Sequence, residues 1–147
     1  MNSDPAANLP ASTPASVLSE APLTWWRTFP PEVLDLSAQQ RLRASLLAAP
    51  ALPLPGWEAA IAADPAAAIG VAITVLAEGT VRPGCLDRAL SVVLLCAALE
   101  DPACCALLVH VLGRRARRRA DLDALHLARA WRHRVHRGFS SIIAPGR

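Results

Sequence analysis

The sequence predicts an all-α fold, a compact bundle of about five to six short helices stacked as helical hairpins. Three observations carry that reading. Asp64-Pro65 and Asp101-Pro102 each place a capping carboxylate before a proline at the first helical position, where its missing N–H has no partner to lose. The stretch from Leu86 to Leu99 is apolar on every side after Ser91, as in a helix covered on every side. Strand signals are nearly absent, with no convincing alternation and no Asn-Gly or Asp-Gly hairpin turn.

Taken in order, residues 1–22 are rich in Pro, Ser and Ala without a hydrophobic period, and are expected to be a disordered N-terminal segment. An aromatic and proline-rich arm over 23–36 follows, in which Trp25, Trp26 and Phe29 fall just before Pro30-Pro31. The helical domain is expected over 37–138, with a flexible tail over 139–147. Its first helix runs from Ser37 to about Ala49, with Leu42, Leu46 and Leu47 on one side and Arg41 and Arg43 towards water. Pro50, Pro53 and Pro55 end it, and a short helix from Trp57 to Ala63 comes next. The two Asp-Pro starts open helices of about Pro65–Glu78 and Pro102–Leu112. Gly79 to Gly84 is a turn, and Leu86–Leu99 is the central helix. Asp121 caps a last helix from Leu122 to about Arg137, whose Ala124, Leu127, Ala128, Trp131 and Val135 form one stripe. The Asp-Pro starts lie 37 residues apart, which hints at helical hairpins, but two units are too few for a solenoid.

Composition narrows the class. A hydrophobic fraction of 53% and a mean hydropathy of +0.31 are high, but thirty alanines inflate both, so they do not make a membrane protein. The apolar runs reach only about 13–14 residues, short of the ~20 that span a bilayer. Met1 to Glu20 holds no Lys, Arg or apolar run, the reverse of an export signal, so a cytoplasmic, reducing location is expected. There Cys85, Cys96, Cys104 and Cys105 are expected to act as small hydrophobes rather than as disulfides.

Lysine is absent, and nine of the fifteen arginines lie between Arg114 and Arg137. A GC-rich genome accounts for the choice of arginine but not for its placement. The run Arg114, Arg115, Arg117, Arg118, Arg119, continued by Arg129, Arg132 and Arg137 on the last helix, is the candidate contact for a partner or a polyanion. Clustered guanidinium groups neutralise and grip oxyanions. His126, His133 and His136 add charge below neutral pH. Trp25, Trp26 and Phe29 either pack back onto the domain's own core, since aromatics gain most by burial, or form the candidate partner arm.

Enzyme signatures are missing: there is no nucleophile elbow, phosphate-binding loop, dinucleotide fingerprint or His-Glu-x-x-His. Cys96, Cys104, Cys105 and His110 lie close in sequence, yet adjacent cysteines on a helix diverge by about 100° and do not converge on a metal. His110 is expected to be a hydrogen-bonded core residue. No catalytic residue, metal or cofactor is therefore assigned. The expectation is a non-enzymatic helical interaction protein, an adaptor, small chaperone or assembly subunit, with another protein as its partner. The alternative is sequence-nonspecific nucleic-acid binding through Arg114–Arg137, and peripheral contact with an anionic membrane is a third reading.

Overall fold

The computed structural model describes residues 21–78 and 83–143, with side chains for 21–78 and 84–137. Two 3-10 turns, Pro22–Arg27 and Pro31–Val33, lead into α1 (Leu36–Ala48), α2 (Trp57–Ile61), α3 (Pro65–Ala77), α4 (Pro83–Ala98), α5 (Pro102–Arg119) and α6 (Leu122–Ile143). The fold is all-α, with no strand among the described residues. The first twenty residues, expected to be disordered, and most of the 79–84 turn lie outside the described residues, as do residues 144–147. No described helix is long and apolar enough to cross a membrane.

The helix α4 is the axis of the core. Every residue from Ala89 to Ala98 is buried, because α1, α2, α3, α5 and the first 3-10 turn all pack around it. The one polar side chain in that stretch, Ser91, donates its hydroxyl to the Leu23 carbonyl at 3.0 Å, so its burial leaves no orphan donor. The helices α5 and α6 pair along their length as an antiparallel hairpin, and Trp131 of α6 reaches fully into the core.

The aromatic segment departs from its assignment as a partner arm. Trp25, Trp26 and Phe29 are 0%, 1% and 1% exposed. Trp25 and Phe29 stack with centroids 4.3 Å apart, and the Trp26 indole N–H donates to the Asp87 carboxylate of α4 at 2.8 Å. Large aromatic rings gain more by covering α4 than by extending into water. They offer no surface to a partner in this fold.

Capping follows the sequence with one exception and one addition. The Asp101 carboxylate accepts from the Cys104 amide at 2.9 Å and Asp121 from the Ala124 amide at 3.1 Å. At Asp64 only the backbone carbonyl does this work, accepting from Ala68 at 3.0 Å, and the carboxylate makes no cap bond. Asp35, not read as a cap, accepts from Ala38 at 2.9 Å and starts α1 at Leu36. Just before three of these aspartates the chain turns through the left-handed region, at Ala63 (φ 71°), Glu100 (φ 72°) and Ala120 (φ 51°). The same corner thus joins α2 to α3, α4 to α5 and α5 to α6.

Two helix ends and one side chain also differ from the sequence reading. The helix α5 runs through Gly113 to Arg119 instead of stopping at Leu112. A lone glycine costs a helix only about 1 kcal/mol, and arginine is a good helix former. The helix α6 continues to Ile143, so 139–143 is helical backbone rather than the start of a tail. On α1, Leu42 and Leu46 are buried but Leu47 is 64% exposed. One residue turns the helix by about 100°, which carries Leu47 off the packed face.

Leu94, fully buried at the middle of α4, sets the first expectation. Leu94→Ala should lower the unfolding free energy by about 2–5 kcal/mol in a urea titration; a change near zero would mean that α4 is not the core. The corners set the second. Ala63→Gly should raise stability by about 0.5–1 kcal/mol, since glycine adopts a positive φ without the Cβ clash. A loss on that substitution would mean that the corner is held by side-chain packing.

Candidate functional site

The hairpin carries nine arginines against two acids, Asp121 and Asp123, between Arg114 and Arg137. The structure divides the nine into two kinds. Arg115 and Arg134 belong to the fold. The Arg115 side chain lies 3.8 Å from the Asp121 carboxylate and 5.9 Å from the centroid of the Trp26 ring. Partial burial, with Arg119 and Arg27 nearby, pulls its pKa below the ordinary arginine value. Arg134 donates to the carbonyls of Pro31 and Ala98, each at 3.3 Å, and to Glu100 at 3.4 Å. It ties α6 to the second 3-10 turn and to the end of α4. Sequence reasoning passed over Arg134 and placed Arg115 with the free cations.

The other seven are Arg114, Arg117, Arg118, Arg119, Arg129, Arg132 and Arg137. All are exposed and none makes an ion pair among the described residues. His126, His133 and His136 are exposed beside them. So is His110, which the sequence placed in the core. Its position on α5 is about 160° round the helix from the buried Leu108, hence on the outer side.

Four of these residues, His110, Arg117, Arg129 and Arg132, line a groove of about 790 Å³ between α5 and α6. Its floor is Val109, Gly113, Ala116, Leu125 and Ala128, with Leu122 at one end. Arg117 stands on the α5 side, and Arg129 and Arg132 on the α6 side. Leu122 is 66% exposed. Asp121 is the one acid in the lining, and it is already engaged by the Ala124 amide and by Arg115. The groove is therefore apolar at the bottom and positive along both edges.

Comparison with known proteins gives no match to a family model, a curated protein or a solved structure. What the chain does must be argued from its own surface.

The cysteines point inward. Cys96, Cys104 and Cys105 are buried and unpaired, and no group of three or more His, Cys, Asp or Glu side chains among the described residues is placed to hold a metal. A hydrogen bond shared with Cys96, and burial, push the Cys104 thiol far up; burial pushes Cys105 up to about 11. Both stay neutral thiols at physiological pH. Cys105 lies 3.6 Å from the Ala97 carbonyl, joining α5 to α4.

The division of the arginines can be tested by stability alone. Arg115→Ala should cost about 1 kcal/mol, through the lost stack on Trp26 and the lost packing of its stem. Arg118→Ala should stay within about 0.5 kcal/mol, as an exposed charge does. Equal melting temperatures for the two variants would show that Arg115 is not part of the fold.

Proposed function

We propose that the protein is a non-enzymatic helical interaction module, an adaptor, small chaperone or assembly subunit of a larger complex, whose working surface is the outer face of the α5–α6 hairpin and whose partner is an acidic protein segment. One observation carries the proposal: seven exposed arginines without ion-pair partners among the described residues share the hairpin, and three of them, Arg117, Arg129 and Arg132, line its apolar groove. Like charges this close repel one another, and a surface with no use would gain from interspersed acids. Of the hairpin's two acids Asp121 is already engaged as a helix cap and by Arg115, and other acids are engaged away from it, as caps at Asp35 and Asp101 and in the Asp87 contact with Trp26.

A protein partner fits this surface better than nucleic acid. Phosphate neutralisation would use the arginines but not the apolar floor. Single-strand binding also draws on exposed rings for base stacking; among the residues with described side chains, Trp25, Trp26, Trp57 and Trp131, as well as Phe29, are all buried. The aromatic arm no longer contributes to the proposal, since its rings are spent on the core.

The test keeps the structural arginines in place. Replacing Arg114, Arg117, Arg118 and Arg119 together with Gln should leave the melting temperature nearly unchanged, because exposed charges contribute at most about 1 kcal/mol each. The same variant should lose most of the protein that the wild type retains from nuclease-treated native lysate. Retention that disappears with nuclease, and that falls about 10³-fold or more between low and physiological salt, would replace the protein partner by nucleic acid. Unchanged retention by the four-fold variant would end the claim that this face is the working surface.

A further inference from the structure

The groove has a shape as well as a charge, and the shape restricts what can occupy it. Its α5 wall extends from Ala106 to Ala120, about 21 Å at 1.5 Å per residue, which is the length of roughly four helical turns. Its two walls are the paired helices α5 and α6, and a cleft between two packed helices is the site that a third helix fills in a bundle. The floor residues Gly113 and Ala116 keep that cleft open. A Cβ on Gly113 would meet only the Arg117 guanidinium, at 3.5 Å. Above the floor the edges are guanidinium groups: Arg117 on one helix, Arg129 and Arg132 on the other.

We propose that this groove is the receptor for a single acidic amphipathic α-helix of a partner protein, its apolar stripe on Val109, Gly113 and Leu125 and its flanking Glu or Asp residues against Arg117, Arg129 and Arg132. This rests on the reading of the hairpin as an interaction surface for an acidic partner, and adds what the partner's docking segment must look like. The charge pattern decides the occupant. In helical bundles the positions that flank an apolar seam select partners by opposite charge, and here both flanks are positive. A second copy of this chain would set arginine against arginine. A bilayer would need an apolar surface that projects, whereas here the floor is recessed and the one leucine well exposed at the site, Leu122, sits at its end. A flexible acidic chain would satisfy the arginines but leave the floor wet.

The probe is a synthetic peptide of about five helical turns with Leu at the seam positions of a heptad pattern and Glu at the flanking ones. Its control is a scrambled peptide of the same composition, so the charge is identical and the stripe is gone. By fluorescence anisotropy the patterned peptide should bind the full chain at least about tenfold more tightly than the scrambled one, and the mixture should gain helical circular dichroism. Gly113→Leu fills the floor without adding charge and puts a better helix former into α5, so the variant should fold. It should bind both peptides equally weakly. Arg129→Gln with Arg132→Gln should weaken both peptides and lessen the salt dependence. Equal binding of the two peptides by the wild type, or tight patterned binding that survives Gly113→Leu, overturns the groove but leaves the charged surface standing. Failure of the wild type to bind either peptide overturns the groove too. If binding of both peptides also survives the four-fold Arg114, Arg117, Arg118 and Arg119 variant and the Arg129/Arg132 variant, the acidic-partner reading falls with it.

Discussion

Everything in this molecule answers to the need to cover α4. A helix that is apolar round its whole circumference cannot face water on any side without losing about 1.5–3 kcal/mol for each large side chain left exposed. Four helices and a 3-10 turn are drawn in to surround it. That demand explains why Trp25, Trp26 and Phe29, on a segment with little regular structure of its own, fold back instead of reaching out. It also explains the orientation of that segment. Ser91 and Asp87 are the two α4 side chains that bind it, one taking the Leu23 carbonyl and the other the Trp26 indole. Polar contacts fix the register of an attachment whose energy is apolar.

Once α4 is enclosed, most of the described arginines gather on the α5–α6 hairpin. The arginines of α5 occupy its last turns, where the unpaired carbonyls of a helix C-terminus favour cations, and Arg117, Arg118 and Arg119 benefit from that placement. The benefit is a fraction of a kcal/mol for each charge and it does not extend to Arg129 and Arg132, which lie within α6. There nothing in the fold compensates them. The depressed pKa of Arg115, caused in part by Arg119 and Arg27, shows mutual repulsion already acting on the one member of the run that is tied down. A fold that tolerates this has a surface more demanding than its stability requires.

Much of the fold was legible in the sequence, because its signals were local or complete. The Asp-Pro starts need only the residues themselves, and an all-apolar helix can only be central. What was left open or missed depended on contacts that sequence spacing does not contain. Whether Trp26 turns inward depends on Asp87, 61 residues away; whether Arg134 is structural depends on the carbonyls of Pro31 and Ala98. Gly113 read as a stop because glycine often follows helices, yet the α5 hydrogen-bond ladder runs straight through it. For the site, the basic run and its continuation on α6 were legible as charge. The groove was not, since it belongs to two helices at once. A signal did exist, in the small residues Ala106 and Gly113, seven apart along one line of α5. Such a line becomes informative only when α5 is known to pass Leu112.

The cluster of cysteines and His110 shows why the surface, and not the interior, is the place to look for activity. Of four potential ligands within fifteen residues, the three thiols turn to the core, where Cys96 and Cys104 share a hydrogen bond, and the imidazole turns to water. The thiols of Cys104 and Cys105 are held protonated, so they are poor nucleophiles and poor ligands at neutral pH. Outside, seven exposed arginines without ion-pair partners among the described residues share one hairpin. Their uncompensated charge supports the proposed reading of that hairpin as a binding surface, because such energy is released on contact with a partner of opposite charge and not on folding.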